Sequence, residues 1–287
     1  MPRLFCLGLG YTALELARRL RAEGWQVAGT CREPDKAAAL RADGIDAFVA
    51  DREHPPADPD RPIADATHLL AAIPPDAMGD PALALWGPAI ARHPGFAWAG
   101  YLSTTGVYGD RDGGWVDESS PLAPTGERGQ RRLEAEAGWS ALLPGVPVHL
   151  FRLAGIYGPG RSALDTVRAG RAQRVVKPGQ VFSRVHVDDI AQVLAASIAR
   201  PRPGAVYNVC DDNPAPPDEV IGYACELLGV APPPEVPFAE AELSNMARSF
   251  YVDNKRVANR LIKEELGVRL AYPDYRTGLK ALISAEA

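Results

Sequence analysis

The chain is poor in the residues that mark metal centres, oxidising compartments and membranes. Only four cysteines occur in 287 residues, and Cys6, Cys31, Cys210 and Cys225 form no C-x-x-C pair and lack histidines at metal-ligand spacing. Buried, reduced thiols are expected, and no metal site. No stretch reaches the roughly 18 apolar residues that a membrane span needs. The first apolar run, Leu4 to Leu9, passes straight into a glycine turn, so no signal peptide is expected there. Together these absences lead to the expectation of a soluble, cytoplasmic protein with no membrane partner. Positive charge is also short: 31 basic against 36 acidic residues leave a net charge of −5, which gives no global attraction to nucleic acid.

What is present is an ordinary globular composition, 46% hydrophobic and 23% charged, on a chain long enough to bury a substantial core. Short apolar runs at Arg3 to Leu7, Gln26 to Thr30, Ala47 to Ala50, His68 to Ala72, Ala97 to Ser103 and Val148 to Leu153 read as strands, with Val206 to Val209 as a seventh. Helix-period segments fall between them at Thr12 to Glu23, Pro34 to Asp43, Ala82 to Arg92, Gly126 to Leu142 and Asp188 to Ala199. This alternation predicts βαβ units and an α/β fold with a doubly wound parallel sheet of about seven strands. After residue 155 the rhythm loosens and prolines cluster at 201–203, 214–217 and 232–237. The expected division is a nucleotide-binding domain of residues 1–155 plus 185–210, and a smaller C-terminal substrate lobe of 156–184 plus 211–287.

Gly8-Leu9-Gly10-Tyr11-Thr12-Ala13 follows the first strand and opens a helix whose apolar face is read as Leu14, Leu16, Ala17 and Leu20. It is a G-x-G-x-x-A turn: the first glycine allows the sharp bend, the second lets a pyrophosphate approach the backbone, and Ala13 permits close helix packing. Peptide N–H groups at the helix start, from Tyr11 and Thr12, then face the phosphates. The position at the first strand of a βαβ unit gives the motif its weight. NADP is expected over NAD, because the second strand ends in Thr30-Cys31-Arg32, with Lys36 one turn further on. A guanidinium with a neighbouring hydroxyl suits a 2′-phosphate, whereas NAD calls for a carboxylate. Asp51, after the third strand, is either an adenine contact or a cap on its own loop.

The fifth strand runs into Ser103-Thr104-Thr105-Gly106-Val107-Tyr108-Gly109, and further on stand Gly155-Ile156-Tyr157-Gly158-Pro159-Gly160-Arg161 and Val185-His186-Val187-Asp188-Asp189. On these segments the chain resembles the extended short-chain dehydrogenase/reductase family, of NAD-dependent epimerase/dehydratase type, over nearly its whole length. The resemblance implies a Rossmann-type fold, Thr104 as the donor to a substrate oxygen, His186 as a structural residue and dimerisation through the helices at Ala82 to Arg92 and Gly126 to Leu142. It also implies Tyr-x-x-x-Lys on the helix after Pro124. That register reads Arg128-Gly129-Gln130-Arg131-Arg132 here, an Arg-x-x-x-Arg replacement that marks the member as atypical.

Arginine gives up no proton near neutrality, so Arg128 cannot do the tyrosine's work. Arg132 could replace the lysine as a cofactor ribose donor, and either arginine could stabilise oxyanion charge. Tyr108 is the remaining candidate proton donor, or else a packed aromatic. Ser103, Thr105, Trp115, Tyr157, Arg161 and Arg184 are candidate substrate contacts, with Asp110 to Ser120 read as a flexible loop that carries Trp115 as a lid. Phe182 stands where nucleotide-sugar members carry an arginine, which argues against a nucleotide sugar. Two functions fit: an NADP(H)-dependent enzyme acting on a small carbonyl or hydroxyl compound, or an NADP(H)-binding sensor or scaffold without catalysis.

Overall fold

The computed structural model describes residues 1–142 and 146–286. Seven strands, β1 (Arg3–Leu7), β2 (Gln26–Cys31), β3 (Asp46–Val49), β4 (His68–Ala71), β5 (Trp98–Thr104), β6 (Val148–Leu153) and β7 (Val206–Val209), lie within two residues of the expected runs. They form one parallel sheet in the order β7-β6-β5-β4-β1-β2-β3. The chain leaves β1 for β2 and β3 on one side and returns to place β4 on the other, Leu4 pairing with Val27 and with His68. That reversal makes the carboxyl end of β1 the topological switch point, where open α/β sheets leave a crevice.

Nearly continuous apolar strands, such as Val148–Leu153 with every residue buried, are what a sheet covered on both faces requires. Helices Tyr11–Ala22, Pro81–Arg92, Glu127–Leu142 and Val187–Ile198 supply apolar faces of period 3.6, and helix Pro34–Ala42 buries Ala37 and Leu40. In the first of these, Thr12, Ala13, Leu16, Ala17 and Leu20 are buried and Leu14 is only half-buried. The inward stripe is therefore turned by one residue from the expected face. Phe5, Leu7, Trp86, Ile90, Tyr101 and Trp139 belong to one hydrophobic core of these helices and strands.

The chain clusters into two compact units. Met1–Thr104, Gly126–Arg152 and Ile190–Tyr207 form the first; Thr105–Thr125, Leu153–Asp189 and Asn208–Ala287 form the second. The second unit packs Tyr157, Leu164, Val220, Ala224, Tyr275 and Leu279 from helices Ala163–Arg168, Pro217–Leu228 and Tyr275–Glu286 and their neighbours. It also holds three short parallel strand pairs, among them Trp115–Val116 with Arg256–Val257. That pairing ties segment 105–125 to the second unit.

The expectation of a flexible loop over Asp110 to Ser120 is corrected here. Arg111 and Gly113 donate their N–H groups to Asn254 O at 3.0 and 2.9 Å, and Asn254 N donates to Asp110 Oδ1 at 2.7 Å. Lys255 Nζ adds a bond to Gly109 O at 2.8 Å. A segment with this many long-range backbone partners is pinned. All four cysteines are buried free thiols. Among the described residues no helix is long and apolar enough to cross a membrane, and no group of three or more His, Cys, Asp or Glu could hold a metal ion.

Candidate functional site

The glycine turn sits at the switch point. Gly8 has φ +98°, and a Cβ there would lie 2.8 Å from Ile73 Cγ1, so glycine is required by both conformation and space. Gly10 is different: its φ of −89° suits any residue, nothing lies within 4 Å of a Cβ built on it, and it is exposed. An open, Cβ-free backbone at a helix start that has no side-chain cap is what a pyrophosphate needs if it is to reach the N–H groups. Tyr11 is half-exposed at the first helical position, while Thr12 is turned inward. A ligand contact from Thr12 would therefore come from its backbone N–H.

Thr30 is corrected. It is buried, its hydroxyl accepts from Gly8 N at 2.9 Å and its carbonyl accepts from Leu9 N at 2.6 Å. It holds the turn from below instead of facing a ribose phosphate. Arg32 by contrast projects from the end of β2 with its side chain 77% exposed, touching Glu33 at 3.6 Å, and Lys36 is half-exposed on the following helix. Asp51 caps its own loop: Oδ1 accepts from Glu53 N at 2.9 Å and His54 N at 2.7 Å, and these bonds hold its carboxyl below the usual range. Of the two roles considered for Asp51, this is the one the geometry shows. The next residue, Arg52, grips Asp76 from the loop after β4, with Nε–Oδ2 at 2.8 Å and Nη2–Oδ1 at 3.2 Å. Neither residue was anticipated; their only sequence signal is charge in loops that follow strands.

At the end of β5, Thr104 is half-exposed but Ser103 is not. Ser103 Oγ donates to Glu136 Oε1 at 2.5 Å, and Glu136 is clasped by Arg152 at 3.1 and 2.8 Å, all three buried. Successive side chains of a strand point to opposite faces of the sheet; Ser103 meets Glu136 of helix Glu127–Leu142, while Thr104 is the partly exposed last residue of β5, so Ser103 is corrected from substrate contact to core polar residue. Glu136 and Arg152 went unnoticed in the sequence, although an arginine inside the apolar run Val148–Leu153 was a signal for a buried partner. Arg128 and Arg132 share helix Glu127–Leu142. Arg128 is exposed, and Arg132 donates to Leu102 O with its guanidinium 5.8 Å from the Tyr101 ring centroid. A guanidinium carries five donors, so this anchor positions Arg132 beside the strand end without using it up.

The remaining candidates belong to the second unit. Tyr108 is fully buried and donates to Asn208 Oδ1 at 2.7 Å, while Asn208 Nδ2 donates to Ala258 O at 3.2 Å. Of the two roles considered for Tyr108, the packed aromatic is the one the geometry shows, and the proton-donor role is set aside. Tyr157 is also buried, against the His186 ring, and its hydroxyl donates to Asp274 O at 3.4 Å; burial pushes its phenol up. This too replaces a substrate contact with a packing role. Arg184 Nη1 serves the carbonyls of Phe182 and Ala215 at 2.8 and 3.0 Å, so one end of this candidate substrate contact is a brace. Thr105 opens a short 3-10 turn, half-buried; Arg161 is exposed on a tight turn closed with Gly158; Trp115 is 61% exposed. His186 is buried and accepts from Asp188 N at 3.2 Å, as a structural residue would. Near Arg184, the buried Asp211 was not foreseen: burial pushes its carboxyl up to about 8, and its Oδ2 has no hydrogen-bond partner.

A seven-stranded parallel sheet with a glycine turn at its switch point makes this a Rossmann-type α/β protein. The chain belongs to the family of protein YeeZ of Escherichia coli K12, with 31% identity over 293 residues that cover 96% of this chain and 97% of YeeZ. No protein-family profile matches it. A functionally unknown conserved protein from Silicibacter pomeroyi is 56% identical, with all of both chains covered and a TM-score of 0.91. A candidate NAD-dependent epimerase/dehydratase from Methylobacillus flagellatus is 27% identical, with 99% of this chain and 98% of that one covered and a TM-score of 0.71.

Proposed function

We propose that the chain binds a nicotinamide dinucleotide on the Gly8–Gly10 turn and acts, in the manner of NAD(P)-dependent epimerases, dehydratases and reductases, on an unidentified small carbonyl or hydroxyl compound. The observation that carries this reading is the contrast within the turn: Gly8 is required by the fold, while Gly10 is an exposed glycine that the fold does not require. A ligand that must approach the backbone explains the second. The likeness to a structure described as an NAD-dependent epimerase/dehydratase supports the same cofactor class. The finer reading is NADP(H), because the exposed Arg32, with Lys36 behind it, suits a 2′-phosphate.

When bound, the dinucleotide supplies hydride chemistry. Thr104, half-exposed at the end of β5, would donate a hydrogen bond to the substrate oxygen. Arg132, anchored on Leu102 O, would add positive charge where a lysine stands in the resembling family. Neither arginine can release a proton, and Tyr108 is engaged by Asn208, so the proton would come from water or substrate. The engagement of Tyr108 favours a second reading, a dinucleotide-binding sensor or scaffold without catalysis.

Calorimetric titration with NADPH and with NADH, on the unaltered protein and on Arg32→Ala, tests the site. NADPH should bind more tightly, with the preference lost in the variant. Failure to bind either nucleotide would refute both readings. If binding is found, turnover against a panel of carbonyl and hydroxyl compounds that collapses in Thr104→Ala supports the enzyme. Binding without turnover supports the sensor.

A further inference from the structure

We propose that Arg52 and Asp76 form a strap across the adenosine half of the crevice, and that this strap sets how fast a bound dinucleotide leaves. The proposal rests on the dinucleotide reading above. Strands β3 and β4 are not neighbours, since β2 and β1 lie between them. Three inter-strand steps of about 4.8 Å put them roughly 14 Å apart. Arg52 follows β3 by three residues and Asp76 follows β4 by five. Because the strands are parallel, both residues leave from the carboxyl edge of the sheet. Their side chains nevertheless meet at 2.8 and 3.2 Å, and Arg52 Nη2 also donates to Gly79 O at 3.2 Å. The link therefore passes over the carboxyl ends of β2 and β1, which carry Arg32 and the Gly8 turn. A dinucleotide whose pyrophosphate lies on that turn directs its adenosine toward the end of β2, beneath the strap.

Both ends of the strap are held. Asp51 braces its own loop through Glu53 N and His54 N, which fixes the backbone on either side of Arg52. On the other side Asp76 and Gly79 exchange backbone hydrogen bonds at 3.0 and 3.2 Å, and Met78 N donates to Asp76 Oδ1 at 2.7 Å. Asp80 then caps helix Pro81–Arg92 through Ala82 N and Leu83 N. The movable part is thus the pair itself. The Arg52 side chain is 25% exposed and that of Asp76 45%, so water can compete for the pair and it can part without unfolding either loop. The Arg52 guanidinium keeps the Asp76 carboxyl below the usual range, as a formed pair requires.

The test is stopped-flow displacement of NADPH and NADH, followed by nicotinamide fluorescence, from the unaltered protein and from Arg52→Ala, Asp76→Ala and Asp76→Asn. The last variant removes the charge and keeps the shape, so it guards against a folding defect in the alanine variants. Breaking the pair should speed release roughly three- to tenfold, the scale of a partly exposed two-point ion pair. Thermal midpoints should move little. Release rates within twofold of the unaltered protein in all three variants would overturn the strap, as would a lowered midpoint with unchanged release, which would make the pair a brace of the fold only. Absence of nucleotide binding by the unaltered protein would instead refute the dinucleotide reading, and the strap with it.

Discussion

Replacing each glycine of the turn by alanine separates what the fold needs from what a ligand needs. At Gly8 the added Cβ meets Ile73 Cγ1 at 2.8 Å and Ile73 N at 3.3 Å, on a backbone with φ +98°. Backbone strain of about 1–3 kcal/mol and overpacking of about 1–3 kcal/mol together cost roughly 2–6 kcal/mol. For a chain of this size that lowers the thermal midpoint on the order of 5–10 °C. At Gly10 the φ is −89° and the space is open, so Gly10→Ala should stay within about 0.5 kcal/mol of the unaltered protein. Its effect falls on binding. A methyl group between pyrophosphate and backbone removes about one charge-assisted hydrogen bond, roughly 1.5–3 kcal/mol, or about a 10- to 150-fold weaker Kd. Differential scanning calorimetry and nucleotide titration on the same preparations read both effects. A Gly10→Ala protein that melts normally and binds nucleotide as tightly as the unaltered one would refute the placement of the pyrophosphate.

Two further predictions concern buried charge. Arg152→Met should cost about 3–5 kcal/mol in urea unfolding, because it strands the Glu136 carboxylate in the core; adding Glu136→Leu should recover most of that loss, and a single variant within about 1 kcal/mol of the unaltered protein would show that the pair is not isolated from water. The Asp211 carboxyl, at about 8 in the folded protein, lies above its unfolded value of about 3.9. The native state therefore holds the extra proton, and this group's contribution to stability is lost as pH rises toward 8. Asp211→Asn should gain on the unaltered protein in urea titrations taken from about pH 6.5 to about pH 8.5; parallel pH profiles of the two would count against a protonated Asp211.

The strands and major helices of the first unit were legible because local signals and global fold agree there. Runs such as Leu4–Leu7 are apolar throughout since both faces of the sheet are covered, and helices such as Tyr11–Ala22 carry period-3.6 stripes. The second unit was harder to read because its sheet elements are two or three residues long and find partners far along the chain. Trp115–Val116 pairs with Arg256–Val257, and no local pattern announces a partner about 140 residues away. Segment 110–120, rich in glycine and acidic residues, looked mobile for the same reason.

By itself the sequence determined the order of the strands and major helices of the first unit, the parallel sheet and the place of the glycine turn, because periodicity and backbone permissiveness act within a few residues of each other. Only the tertiary structure decided which polar groups reach the surface and which are bonded in the core. Ser103 and Thr104 are adjacent and chemically alike, yet one is bonded to buried Glu136 and the other reaches the surface. Tyr108 could have been read either way until Asn208 was seen to hold its hydroxyl. Arg52 and Asp76 are ordinary loop charges until the strand order shows that their meeting crosses two strand ends. Burial and partnership are properties of pairs distant in the chain, and only the folded backbone brings those pairs together.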